Sequence, residues 1–229
     1  MSRTELARLA MLQLADSAFP SGSYTLSHGL ETLYAEGLVR DAESLAAALD
    51  VALRARLALA DLPALLAAWD AGPDLIPAMI VDRRLSAAKL AREEREASAR
   101  VGRRLAFEIG RLVQASRLAG FVEAIDGGVT PGNSAVALGL GARALGLSRR
   151  DAALTGAYSF ANAFVSVGLR LGRIGHGDAQ RLLRGAGPAL AAAVDLAEAV
   201  DPGELFPCAP MFDVALARHE VAPMRLFAT

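Results

Sequence analysis

The sequence predicts an all-α fold, and three features of its 229 residues carry that expectation. Hydrophobic residues make up 53% of the chain, and much of that share is alanine and leucine, the strongest helix formers. Aromatics are only 5%, β-branched residues are sparse, and few stretches alternate apolar with polar residues over strand length. Apolar positions recur instead at helical spacing between caps, glycines and prolines. The expected architecture is one multi-helix bundle over residues 1–200, with an extended C-terminal tail over 201–229.

Ser2 or Thr4 can cap a first helix running to about Asp16. The segment 17–25, with Pro20 and Gly22, breaks it. A short helix from about Leu26 to Glu36 follows, stopped by Gly37. Asp41 caps a long helix to about Ala60, and Asp61-Leu-Pro63 restarts one with proline in its first turn. Helical pattern then runs from Asp82 to about Ala119, with breaks expected at Gly102 and Gly110. Its first half holds opposite charges four apart, Lys89/Glu93, Arg92/Glu96 and Glu96/Arg100, and reads as a solvated face. Residues 126–131 are a loop, and Asn133 or Ser134 opens an apolar helix ending at Gly146. Ser148 with Asp151 caps another to about Leu171. A glycine-rich turn over 172–177 precedes a helix beginning near Asp178. After Val200 come Pro202, Pro207, Pro210 and Pro223 beside Phe206, Met211, Phe212, Met224, Leu226 and Phe227. Such a tail is not expected to form its own helix. It packs on the core as a strap or orders against a partner.

Net charge is -1, with a pI near 6.3, which speaks against a nucleic-acid binder. Cys208 is the sole cysteine and excludes an internal disulfide framework, consistent with a reducing, cytoplasmic compartment. The N-terminus lacks a clean secretory h-region, and the apolar stretch 134–147 is too short to span a bilayer. Basic residues are nearly all arginine; Lys89 is the only lysine.

No P-loop is present, since Lys89 sits in Ala-Ala-Lys-Leu, and Gly139-Leu-Gly141 lacks a third glycine and a preceding strand. His28, His176 and His219 are far apart in sequence and none pairs with Cys208 at ligand spacing. No stably bound metal or cofactor is therefore expected, although His176 in its glycine-rich turn is the best lone candidate for a transient metal contact. Ser27 and His28 are adjacent, so on a helix they point about 100° apart and form no nucleophile–base pair. No catalytic residue is assigned, and a non-enzymatic, protein-binding role is expected.

Four segments carry a family resemblance. They are 12–31, with Asp16-Ser17, Pro20, Gly22, Ser27 and Gly29-Leu-Glu31; Asp82, Lys89, Glu94, Arg95, Ser98 and Gly102; Arg170-Leu171, Gly175, Asp178 and Gln180; and His219-Glu220 with Arg225-Leu-Phe227. In this order they resemble the urease accessory protein UreF family. The resemblance implies an all-α chaperone that binds a second accessory protein, UreH (also called UreD), recruits the GTPase UreG, and helps deliver nickel to the urease apoprotein. It also implies a homodimer within the complex and a tail that orders on UreH. Two departures stand out: His176 in the turn, and Ser23-Tyr24 where glycine and phenylalanine are common.

The expected partner surfaces are two. One is a polar face around Pro20, Gly22, Tyr24, Ser27, His28 and Glu31, with Arg173, His176, Asp178 and Gln180 of the turn, for UreG. The other is the tail with Phe206, Phe212, His219, Glu220, Arg225, Leu226 and Phe227, for UreH. Two other readings remain open. One is a GTPase-activating role using Arg170, Arg173 or Arg181; the other is a helical small-molecule-binding module.

Overall fold

A computed structural model describes residues 2–223 and 225–228, and the backbone but not the side chain of Tyr24. Met224 and the Tyr24 side chain, both named above, lie outside the described residues. Within them the fold is all-α, without strands. Helix α1 (Arg3–Ala15) starts at a reciprocal cap in which Ser2 accepts the Glu5 amide and Glu5 accepts the Ser2 amide. Ala10 and Leu14 face the core, while Leu6, Leu9 and Leu12 are exposed.

The second helix departs from expectation. His28 has φ +53° and Gly29 φ +83°. Both conformations are left-handed, so α2 (Leu30–Ala35) begins four residues later than Leu26. Ser27 and His28 are therefore not helical and share no helix face with Glu31.

Asp41 and Ser44 cap α3 (Ala42–Ala55). It stops at Ala55 rather than Ala60 and passes through a 3-10 turn, Leu57–Leu59, into α4 (Asp61–Asp70). The expected helix from Asp82 divides elsewhere than at its glycines. α5 (Ile76–Ala88) and α6 (Arg92–Val113) are separated at residues 89–91. There the Lys89 side chain turns inward, and Arg95 donates to the carbonyl oxygens of Lys89 and Leu90 at 2.7 Å each. Gly102 and Gly110 stay inside α6, which ends at left-handed Gln114, φ +49°. Gly102 serves packing: a Cβ there would stand 2.0 Å from the Gly132 carbonyl oxygen.

That close approach is held by buried Asp82. Its carboxylate accepts the Thr130 hydroxyl and the Gly132 amide at 2.6 Å, and the Asn133 amide at 2.7 Å. The clamp sets the loop between α7 (Ser116–Asp126) and α8 (Ser134–Ala144) against α6. Ser148 caps α9 (Arg149–Arg170) by accepting the Asp151 amide. α9 is long and apolar enough to cross a membrane by composition, yet here it is the central strut. α1, α2, α3, α4, α8, α10 (His176–Gly185) and α11 (Gly187–Glu198) all pack on it.

The tail corrects a second expectation. Residues 202–204 turn, closed by the Glu204 amide on the Asp201 carbonyl at 2.8 Å, and 205–209 then run without helix, tied by the Phe206 amide to the Leu59 carbonyl at 3.2 Å and the Cys208 amide to the Ala55 carbonyl at 2.8 Å. Pro210 then opens α12 (Pro210–Glu220) at a position where its missing N–H costs nothing. Phe212, Ala215, Leu216 and His219, at helical spacing, form its buried stripe. The prolines frame this helix rather than forbid it, and α12 lies on α2 and α6.

Candidate functional site

The last residues of the chain are tied down by two acids from distant helices. Glu31 of α2 accepts the Leu226 amide at 2.7 Å and the Phe227 amide at 3.1 Å. His219, 1% exposed, stands between that carboxylate and Glu93. Its Nε2 lies 3.1 Å from Glu31 and its Nδ1 2.7 Å from Glu93. An imidazole flanked in this way donates to both carboxylates only as the imidazolium. Arg225 also donates to Glu93, Glu220 accepts the Glu93 amide at 3.2 Å, and the Ala228 amide reaches the Thr25 carbonyl at 2.8 Å. Phe227 is buried under the Arg170 guanidinium, 4.2 Å from its ring centroid. The tail is thus latched to its own core.

Below the latch lies a second polar centre. Lys89 donates to Asp61 at 2.8 Å and stands 3.7 Å from Glu94. Arg56 donates to Glu94 at 2.7 Å and to Asp213 at 3.3 Å. Burial acts to raise the Glu94 carboxyl, but Lys89 and Arg56 outweigh it and hold the pKa below the usual value. Burial likewise acts to lower the Lys89 ammonium, and Asp61 with Glu94 more than offsets it, so the pKa is raised. Arg56, Asp61, Lys89 and Glu94 line a cavity of about 220 Å³ between α4, α6, α9 and the loop before α2. His28 lines it too, its ring 4.9 Å from that of Phe160, and burial pushes its pKa down to about 4. The lining therefore combines these charged side chains with apolar ones such as Leu62, Leu65 and Val101.

The expected solvated face on α6 is accordingly half corrected. Arg92 and Glu96 do form an exposed pair at 3.6 Å. Lys89 and Glu93, however, are buried and turn to Asp61 and to His219.

The remaining expected residues divide clearly. Pro20 is exposed and its carbonyl accepts from Arg104 at 3.3 Å. Gly22 has φ +80° with open space where a Cβ would be. Ser27 is fully buried. His176 and Gln180 are exposed on α10, while Asp178 accepts the Gly175 amide and pairs with Arg181. Arg173 is exposed, its guanidinium 5.9 Å from the Tyr34 ring centroid. In the tail, Phe206 is 71% exposed and Leu226 78%, whereas Phe212 and Phe227 are core residues. The Glu31 side of the first polar face is therefore bonded to the tail. Among the described residues, no three His, Cys, Asp or Glu side chains gather closely enough to hold a metal ion.

Glu93, Arg56 and Asp61 were absent from the expected site. Their one signal in the sequence is Lys89, a lone lysine amid arginines within an apolar stretch.

A family model described as UreF matches residues 39–187. A urease accessory protein UreF from Bacillus sp. (strain TB-90) is 33% identical over 223 residues, covering 96% of this chain and 97% of that protein. One from Trichodesmium erythraeum (strain IMS101) is 29% identical over 224 residues, covering 96% of each. Urease accessory protein UreF 1 of Brucella melitensis biotype 1 is 32% identical over 223 residues, covering 96% of this chain and 91% of that protein.

Proposed function

Because this chain belongs to the UreF family, we propose that it acts in urease maturation as a non-enzymatic chaperone, holding UreH (UreD) and the GTPase UreG while nickel reaches the urease apoprotein. Nickel is cargo of the assembly rather than a resident of this chain. The working form is a cytoplasmic homodimer within that complex. The observation that carries the reading is the latched tail. Glu31 and Glu93 fix residues 225–228 so that Phe227 is buried while Leu226 projects outward. An apolar side chain on a preorganised segment loses little entropy on docking. Phe206, exposed on a strand-like segment held at Leu59, offers a second anchor of the same kind.

Capture of purified UreH and UreG, read by size and mass, tests this. Leu226→Asp combined with Phe206→Asp should weaken UreH capture at least about tenfold, as loss of apolar anchors does. Undiminished capture would remove the tail from the interface. Point changes serve better than truncation after Val200, which would also strip Phe212 and the rest of α12 from the core.

For the GTPase-activating reading, Arg170 covers Phe227, whereas Arg173 in the turn and Arg181, in a surface pair with Asp178, are exposed.

A further inference from the structure

The central strut carries a polar stripe into the core. Ser159, Asn162, Ser166 and Arg170 recur at helical spacing along α9, a helix otherwise apolar enough to pass for a membrane span, and all four line the internal cavity. Ser159 Oγ is buried without a hydrogen-bond partner among the described residues, and so is Glu94 Oε2 of the same lining. A buried acceptor without a donor is costly, so such atoms ordinarily mark a bound molecule.

Charge and hydrogen bonding narrow its chemistry. In the lining, Asp16, Asp61 and Glu94 stand against Arg56, Lys89 and Arg170, three carboxylates to three cations. Burial pushes the His28 pKa down to about 4, so its imidazole is neutral at pH 7 and leaves that balance intact. A ligand with net charge would upset it in a partly dry space, whereas a neutral one would not. Glu94 Oε2 can only accept, and the Ser159 hydroxyl can accept too, so the ligand brings donors for both. Arg56 and Lys89, beside Glu94, offer N–H groups in return and call for an acceptor next to those donors. A primary amide is neutral and holds two N–H donors beside one carbonyl oxygen, whereas an alcohol holds a single donor. We propose that the cavity binds a neutral primary amide with a short alkyl chain. Its N–H groups serve Glu94 Oε2 and Ser159 Oγ, and its carbonyl oxygen faces Arg56 and Lys89. The volume of about 220 Å³ far exceeds the roughly 10–15 Å³ that one water requires. Leu62, Leu65 and Val101 of the lining suit the alkyl chain. Exposed Asp16 and Ser17 also belong to the lining, so the cavity reaches the surface beside the loop after α1.

The test titrates the full chain with four probes of similar size: propionamide, N,N-dimethylpropionamide, 1-propanol and propylammonium chloride. Backbone N–H resonances of Gly156 and Ser159, at the cavity wall, report binding. Propionamide should move them and bind at least about tenfold tighter than each of the other three, a difference of about 1.4 kcal/mol. Ser159→Ala removes a buried hydroxyl that has no partner among the described residues, so the variant should fold as stably as the parent. It should weaken propionamide about fivefold, the worth of one neutral hydrogen bond. Resonances that no probe moves would mean that the cavity takes only water and would overturn the proposal. Equal binding of 1-propanol or the N–H-free amide would overturn the amide head group, and equal binding of propylammonium would overturn the selection for neutrality. Propionamide affinity unchanged in Ser159→Ala would place the probe elsewhere and overturn the site.

Discussion

Glu31 and Leu226 are 195 positions apart in sequence, yet the carboxylate of one accepts the amide of the other at 2.7 Å. The same carboxylate takes the Phe227 amide and faces His219, so a single side chain organises the end of the chain. Glu31→Ala should orphan two amides and one imidazole nitrogen and cost about 2–3 kcal/mol, read from urea denaturation. Hydrogen exchange at the Leu226 and Phe227 amides should accelerate more than exchange elsewhere. Unchanged exchange would assign the latch to Phe227 burial instead.

Acid should weaken the fold through His28. Burial lowers its pKa from 6.5 to about 4, so between those values the unfolded chain holds a proton on this ring that the folded chain does not. Its contribution is full above pH 6.5 and is lost as the pH falls toward 4. At about 1.4 kcal/mol per unit, a wholly dry ring would forfeit about 3 kcal/mol. His28 is only partly buried by area and lines a cavity that reaches the surface, so about 1–2 kcal/mol is expected. His28→Asn tolerates the left-handed backbone, φ +53°, and should flatten stability over this window in denaturation at stepped pH.

Lys89→Met should be among the most damaging single changes. It leaves Asp61 and Glu94 facing a buried space without their ammonium. Removing one partner of a buried ion pair costs about 3–5 kcal/mol. Adding Asp61→Asn should recover part of that loss, and a double-mutant cycle in urea measures the coupling. Strict additivity would show that the pair is not energetically joined.

Gly102→Ala should force α6 away from the Asp82 clamp. The new methyl would meet backbone, 2.0 Å from the Gly132 oxygen and 2.6 Å from the Asn133 carbonyl carbon. Overpacking of this kind costs about 1–3 kcal/mol, and thermal melting should show it. An unshifted melting temperature would mean that the 132–134 segment moves freely.

Arg173→Ala tests the GTPase-activating reading at the exposed arginine of the 172–177 turn. A scaffold should leave GTP hydrolysis by UreG in the assembled complex unchanged. A loss of at least about a hundredfold would assign Arg173 a finger role.

Local signals read well from the sequence. Ser2 with Glu5, Asp41 with Ser44 and Ser148 with Asp151 cap helices where their spacing says they should, because a cap is completed within four residues. The Lys89 break was not legible there. Residues 89–91 have good helical propensity, and the chain breaks where the Lys89 ammonium meets Asp61 and Glu94, residues remote or unmarked in local pattern. Phe206, Phe212 and Phe227 are similar members of one aromatic tail in sequence, yet one is exposed and two are core.

The sequence by itself determined an all-helical chain, the helix starts that carry a local cap or proline signal such as those at Arg3, Ala42, Asp61, Ser134 and Arg149, and a UreF-like order of motifs, since these depend on neighbours a turn or less away. Tertiary structure alone decided that Pro210 begins a helix, that Glu31 meets residues 226 and 227, and that the lone lysine faces a cavity. Those outcomes rest on desolvation and charge pairing between segments far apart in the chain, which no local periodicity encodes.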